Sequence, residues 1–430
     1  MDDRFRKFIR KHGHLTKAWQ AVSANSRHST SPYVKDEAKG FAGDEQRRIA
    51  SIGSRIQWGT YKFSASRGVA LEKKGKTGKI RPIVISKVED RIVQRCILDA
   101  LVSDDRIRNR AFQPYSYGGV PKRKGDEFAG VPAAIRQLIE FTNDGLSHVM
   151  IADIEGFFTK ISKSYCVQLV REFTDDGPFI ELLEKAIVVD LENARSLLKS
   201  KDQFPYGDIG VAQGNCLSPF LGNLILSEFD QKMNEGDCRC IRYIDDIMIL
   251  APSGRAASSK LRKARRLLDE MGMDFSPDKS SKFPIQISNP FEYLGIEFSA
   301  EGLRPARKSR KSIVMRCREV AATSLFHMRR CSDAGQFQQQ YSIPKTLNRI
   351  SGMAKGWAHH YSFCDDKATI IDVDRAIAEH YLAYLDKAQV IAKGKRAALA
   401  AAILGYRGAS DVQFAAFAWP TPPPEPCGSD

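Results

Sequence analysis

The sequence predicts an α+β protein, and three observations carry that expectation. Short apolar runs of strand character end in or flank carboxylates near residues 149–153 and 240–250. Stretches of helical spacing lie between them, and after Leu303 the chain turns helical and basic. With 430 residues, 43% hydrophobic and 27% charged, the chain fits a globular protein and excludes wholesale disorder or a fibrous repeat. Its 66 basic and 51 acidic side chains leave +15 at pH 7, so a polyanion, nucleic acid foremost, is the expected partner. No window approaches the roughly 18 unbroken apolar residues of a membrane span. Met1-Asp2-Asp3-Arg4-Phe5-Arg6-Lys7 lacks the apolar stretch of a secretory signal. The nine cysteines are scattered and form no CxxC pair, which argues against a disulfide framework or zinc ribbon and for a reducing, cytoplasmic setting.

In chain order, Phe5, Phe8 and Ile9 have helical spacing among Arg4, Arg6, Lys7, Arg10 and Lys11, a helix that either touches RNA or packs on the body. Ser23–Ser31 is polar and reads as a loop. Residues 61–85 read as strands broken by the basic tip Lys73-Lys74-Gly75-Lys76-Thr77-Gly78-Lys79. Glu89–Leu101 is helical, with Ile92, Val93, Cys96, Ile97 and Ala100 on one face. Residues 111–130 are loop-rich and hold Tyr117-Gly118-Gly119 and Lys122-Arg123-Lys124. Val149-Met150-Ile151-Ala152 reads as a buried strand ending at Asp153, and a helical region follows to about residue 200. Residues 210–230 read as a loop opening into a helix, 240–250 as a hairpin around Asp245-Asp246, 260–271 as an amphipathic helix and 291–302 as a second hairpin. Between Arg304 and Arg330 nine Lys or Arg face one Glu. The tail from Trp419, with prolines at 420, 422, 423, 424 and 426, suits neither helix nor ladder and reads as disordered.

Two carboxylate positions stand out. Asp is at home in turns, so Asp245-Asp246 alone is compatible with plain turn chemistry. Buried unpaired carboxylates are costly, however, and divalent cations between two strand-borne carboxylates offset that cost. Two metals about 4 Å apart are the standard clamp for displacement at a phosphate, and magnesium needs only a few protein oxygens beside water and substrate phosphates.

Tyr243-Ile244-Asp245-Asp246 matches the YxDD signature of reverse transcriptases, and the resemblance runs in order from about residue 60 to residue 300. Ile151-Ala152-Asp153-Ile154-Glu155-Gly156-Phe157-Phe158 resembles the family's first catalytic strand. Residues 210–223, with Gln213-Gly214 and Ser218-Pro219, resemble its helix-entry motif. Ser276-Pro277-Asp278-Lys279 is similar to the motif that ends in lysine, and Phe291-Glu292-Tyr293-Leu294-Gly295 to the primer grip. Gly78-Lys79-Ile80-Arg81-Pro82-Ile83 and Asp90-Arg91-Ile92-Val93-Gln94 resemble the fingers of the bacterial, group II intron-like branch. The segment 347–361 resembles the thumb helix of intron-type enzymes. No clustered zinc ligands of an endonuclease module and no RNase H domain are evident. That combination is most similar to the defence-associated, anti-phage reverse transcriptases.

The resemblance implies a right-hand polymerase fold, with a basic N-terminal extension (1–40), fingers (41–145) and a palm with an antiparallel sheet (146–302, with part of the fingers at 163–210). A helical thumb (303–390) and a C-terminal segment with the proline-rich tail (391–430) complete it. It implies RNA-directed DNA synthesis by two-metal phosphoryl transfer, with two Mg2+ ions, Mn2+ able to substitute, held by Asp153, Asp245, Asp246 and the Ile154 carbonyl. Lys279 is then the general acid for pyrophosphate. Lys74, Lys79, Arg81, Phe158, Gln213 and Gly214 contact the nucleotide, with Phe158 under the deoxyribose, and Phe291, Tyr293, Leu294 and Gly295 form the primer grip. Lys122, Arg123, Lys124, Arg307, Lys308, Arg310 and Lys311 are the expected RNA contacts. The implied partners are a structured noncoding RNA template, dNTPs and the cDNA product, with no membrane; oligomeric state leaves no mark in the sequence. Three other readings remain open: a group II intron maturase, a template-independent or protein-primed polymerase of abortive-infection type, and an RNA-binding scaffold with an inactive palm.

Overall fold

The computed structural model describes residues 3–72, 78 and 80–406. Lys74, Lys79 and the proline-rich tail lie outside the described residues. The chain divides into two compact units, Met1–Leu294 and Gly295–Asp430. The division falls ahead of the expected change at Leu303, because the hairpin that contains Leu303 groups with the helices after it.

In the first unit, helices Arg4–Arg10, His12–Arg27, Pro32–Ala42 and Glu45–Gln57 gather on the helix Val88–Ser103. Phe5, Ile9, Leu15, Trp19 and Phe41 are buried there, and the Phe5 and Phe179 rings stack at 4.8 Å. Of the two readings of the N-terminal helix, its apolar face therefore takes the packing one. Ser23–Ser31 is not all loop: His12–Arg27 runs on because Val22 and Ser26 extend its buried face, and the Ser26 hydroxyl donates to the Val22 carbonyl at 2.7 Å.

Strands β1 (Arg67–Glu72) and β2 (Ile80–Ile85) form an antiparallel hairpin. The unit's main sheet is four-stranded, ordered β4-β5-β3-β6, from β3 (His148–Asp153), β4 (Arg239–Tyr243), β5 (Asp246–Ala251) and β6 (Ile285–Gln286). Met150, Ala152, Ile247, Ile249 and Ala251 alternate onto the face that joins the large core. Against that face lies the helix Gly254–Asp269, whose Ala257 and Ala264 let its backbone come close. Val149, Met248 and Leu250 on the other face are buried too, which explains why these strands read as unbroken apolar runs. A last short strand, β7 (Phe291–Tyr293), ends the unit.

The second unit opens with the antiparallel pair β8 (Ile296–Ser299) and β9 (Gly302–Pro305). Helices Arg307–Arg330, Ile343–His360 and Lys367–Lys393 follow, packed around Cys317, Met328, Ile350, Ile377 and Tyr384. Two aspartates of this unit are used locally. Asp366 caps the helix Lys367–Lys393 by accepting from the Thr369 N–H at 3.0 Å, and Asp372 pairs with Arg375 at 3.3 Å. Among the described residues no helix is long and apolar enough to cross a membrane, and the described cysteines are free thiols.

Candidate active site

The β3–β5 register places Asp153 directly opposite Asp246, and Asp246 in turn pairs with Tyr243 on β4. Asp246 is therefore the first residue of a strand, and only Ile244 and Asp245 form the turn, a refinement of the expected hairpin. The Ile154 N–H donates to the Asp245 carbonyl at 2.9 Å, tying the turn to the end of β3. Ile244 sits at φ 60°, left-handed backbone that costs a β-branched residue about 1–3 kcal/mol. Gly118 packs on this turn so closely that a Cβ there would lie 2.5 Å from the Ile244 nitrogen.

Residues 276–281 run along β3 and carry Lys279 to it. The Ser276 N–H donates to the Asp153 carbonyl at 2.7 Å, and the Ser281 N–H to the Ile151 carbonyl at 2.7 Å. The Lys279 Nζ then donates to Asp153 Oδ1 at 2.6 Å. Burial and the Asp153 charge push the Asp245 carboxyl up, with Lys279 and Arg81 opposing. Burial, then Asp245 and Asp153, push Asp246 up to about 6. Burial works to lower the Lys279 ammonium, but its hydrogen bond to Asp153 and the charges of the three carboxylates hold it above the ordinary lysine value. Among the described residues no three His, Cys, Asp or Glu side chains are drawn into a ready-made metal cluster. The donor set nevertheless fits a hard divalent cation: the carboxylates offer oxygen alone, repel one another, and already draw an ammonium onto Asp153.

Strand β2 brings together three of the nucleotide-contacting candidates, Arg81, Gln213 and Gly214. The Val84 N–H donates to the Gln213 carbonyl at 2.8 Å. Gly214 has φ 114°, and a Cβ on it would meet the Val84 carbonyl oxygen at 2.7 Å, so only glycine lets this loop lie against β2. Arg81, on β2, is near enough to act on Asp245. The Val211 N–H donates to the Phe158 carbonyl at 2.7 Å, which joins the loop to the segment after Asp153. Phe157 is the core member of the aromatic pair; Phe158 stays half-buried, its ring 5.3 Å from that of Phe157. The Ile154 side chain is fully buried.

The remaining candidates divide. Phe291 and Tyr293 are buried, with the Tyr293 hydroxyl 3.5 Å from the Ile241 carbonyl, and Leu294 and Gly295 have φ 50° and 78° on either side of the unit division. Arg123, also expected to meet RNA, donates to the Gln113, Pro114 and Ser116 carbonyls at 2.6, 2.7 and 3.3 Å and braces that loop. Arg310 is drawn to Glu297 at 3.4 Å. Lys122, Lys124, Arg307, Lys308 and Lys311 are exposed and form no ion pair among the described residues.

Sequence reasoning missed one group entirely. Arg242, fully buried, donates from Nε and Nη2 to the two Asp230 oxygens at 2.8 and 2.6 Å, and from Nη1 to Asn223 Oδ1 at 2.9 Å and the Ile244 carbonyl at 3.0 Å. The available signal was a lone arginine inside the apolar strand Cys240-Ile241-Arg242-Tyr243, where a charge needs a buried partner.

An antiparallel sheet with three carboxylates at one end, a lysine on the first of them and a glycine-dependent loop beside a basic strand defines a palm of the nucleotide-polymerising kind. Residues 71–298 match the family described as "Reverse transcriptase (RNA-dependent DNA polymerase)", and the chain belongs to that family, with its α+β right-hand polymerase fold. It is similar to Protein YkfC of Escherichia coli strain K12, 32% identical over 41% of this chain and 43% of that one. It is also similar to the uncharacterized 91 kDa protein in cob intron of Schizosaccharomyces pombe, 26% identical over 50% of this chain and 24% of the other. The chain thus spans under half the length of these curated relatives. A solved telomerase from Candida albicans, in complex with a fragment of telomeric RNA, aligns at a TM-score of 0.41 and 9% identity over 78% of this chain and 64% of that one.

Proposed function

We propose that the protein is an RNA-directed DNA polymerase that copies a structured noncoding RNA into cDNA in the cytoplasm, as part of bacterial defence against phage. The observation that supports the chemistry is Asp153 opposite Asp246, with Asp245 on the adjoining turn and Lys279 and Arg81 beside them. Asp153, Asp245, Asp246 and the Ile154 carbonyl are the residues to hold Mg2+, or Mn2+ in its place. The bound ions would supply Lewis-acid activation of the primer hydroxyl and charge neutralisation on the triphosphate. The chain's own groups do the rest. Lys279 keeps a proton at Nζ through neutral pH for the departing pyrophosphate. Arg81 meets phosphate oxygens, with Lys74 and Lys79 as further phosphate contacts, while Gln213 and Gly214 underlie the incoming dNTP and Phe158 packs on its sugar. Phe291, Tyr293, Leu294 and Gly295 steady the primer, and Lys122, Lys124, Arg307, Lys308 and Lys311 grip the RNA backbone.

The defence role and the locally encoded RNA template rest on the resemblance to defence-associated enzymes. The test is to sequence the RNA and DNA that co-purify with the protein and with Asp245→Asn, and to measure phage plating on cells carrying each. One dominant RNA, complementary DNA with the active protein alone, and protection lost in the variant are expected. Random cellular RNA together with protection that survives Asp245→Asn would overturn the reading. A second reading is favoured by relatives named for introns: assistance to intron splicing, which predicts that Asp245→Asn leaves a bound intron RNA and its splicing intact.

A further inference from the structure

We propose that Arg242 is a positioning residue for Asp245. Its guanidinium, locked by Asp230 and Asn223, holds the Ile244 carbonyl and so fixes the left-handed turn that presents the Asp245 carboxyl. The inference rests on the reading of Asp245 as a metal-holding carboxylate.

Among the described residues Arg242 is the largest fully buried side chain, and Asp230 is buried with it. A buried ion pair is a weak source of stability, since apolar residues of similar volume often serve as well. What apolar residues lack is the rest of the fork. Beyond the two hydrogen bonds to Asp230, Nη1 reaches Asn223 Oδ1 at 2.9 Å and the Ile244 carbonyl at 3.0 Å. Arginine is suited to this because its donors lie in one rigid plane, so fixing two of them on a carboxylate aims the others.

The carbonyl it holds belongs to Ile244, at φ 60°, immediately before Asp245. Unsupported, a β-branched residue there would relax toward extended backbone and carry the next side chain with it. The same network grips the turn from its other side. Asn223 donates from Nδ2 to the Gly118 carbonyl at 3.0 Å, and Gly118 is the residue packed on the Ile244 nitrogen. The Arg242 N–H and carbonyl pair with Tyr115 and Tyr117 at 2.9 Å each, so loop, strand and turn are joined at one residue. None of these atoms reaches the carboxyl oxygens of Asp245; the action is through the backbone.

The experiment compares Arg242→Lys, Arg242→Met and Asn223→Ala with the wild type in primer extension over a Mg2+ titration, with melting for fold and Mn2+ binding followed by electron paramagnetic resonance. Asn223→Ala leaves the ion pair to Asp230 in place and serves where an Arg242 variant does not fold. Folded variants are expected to need about tenfold more Mg2+ for half-maximal rate and to lose kcat at least tenfold, with KM for dNTP within twofold and Mn2+ binding weakened in parallel. Arg242→Met should be the worst and Arg242→Lys intermediate. Wild-type Mg2+ dependence and kcat in folded Asn223→Ala, or in a folded Arg242 variant, would overturn the inference. Asp245→Asn separates the two readings. If it abolishes extension while the Arg242 and Asn223 variants are normal, only the positioning role fails; if it leaves extension intact, the site itself was misread.

Discussion

Replacing Lys279 separates two things its ammonium does, neutralising Asp153 and donating a proton. Nζ lies 2.6 Å from Asp153 Oδ1, and the Lys279 side chain is 58% exposed against 11% for Asp153. An ion pair so open to water contributes about 0.2–1 kcal/mol to stability, so Lys279→Met should melt close to the wild type. Catalysis should respond far more, because a positioned general acid is worth about 10²–10⁴-fold. Arg keeps the charge but cannot give up its proton at any working pH, so Lys279→Arg should be nearly as slow as Lys279→Met in single-turnover primer extension. The ammonium is held above its ordinary value, so donation persists through neutral pH and fades only on the alkaline side. That alkaline limb should disappear from the pH–rate profile of both variants. A Lys279→Arg enzyme with wild-type kcat would refute proton donation and leave a purely electrostatic role, and unchanged kcat in Lys279→Met would refute both.

Asp153→Asn and Asp245→Asn should each lower RNA-templated extension more than about a thousandfold, since each removes a ligand from a clamp worth several kcal/mol; a folded variant with substantial activity would contradict the assignment. Phe158→Ala should raise ribonucleotide use relative to deoxynucleotide use by about ten- to two-hundredfold, read from parallel incorporation assays, and an unchanged ratio would remove the sugar contact. Asp90 is a carboxylate of the fold, pushed up to about 6 chiefly by burial, although the Tyr61 hydroxyl and the Ser64 N–H donate to it. Its folded value exceeds the unfolded one, so its protonated form favours folding; that contribution is full below about pH 4 and lost as pH rises through about 6, roughly 3 kcal/mol in all. Urea melts of wild type and Asp90→Asn should therefore differ increasingly to the wild type's disadvantage between pH 4 and 7, and a constant difference would contradict this. Lys308→Ala with Lys311→Ala should weaken RNA binding and reduce the slope of log K against log salt by about 2; an unchanged slope would exclude them from the RNA contact.

Much of the palm was legible because its signals are local. Four successive apolar residues before Asp153 mark a strand buried on both faces, and Tyr243-Ile244-Asp245-Asp246 between apolar runs marks a hairpin. An amphipathic helix over 260–271 was readable from spacing, although the helix begins earlier, at Gly254, and ends at Asp269, and the buried faces of Val88–Ser103 and Leu217–Ile225 were readable in the same way. Pairing at a distance was not legible. The opposition of Asp153 and Asp246, the seating of Gln213 and Gly214 on β2 and the run of residues 276–281 along β3 join segments with no local record of each other. Register follows from which faces the core must cover, and a one-residue slip would send every side chain to the other face.

Charge was the property least legible in the sequence. Arg123, Arg310 and Lys308 look alike in a basic stretch, yet the first braces a loop, the second meets Glu297, and the third stands in solvent. Arg242 went unnoticed although it joins two helices, a strand and the turn before Asp245. The sequence by itself determined the order of the motifs and hence the family, because these are written in neighbouring residues. Only the tertiary structure decided which carboxylates face one another and which cations are committed. A charged group's role depends on the oxygens the folded chain brings within about 3 Å of it, and those oxygens come from distant parts of the sequence.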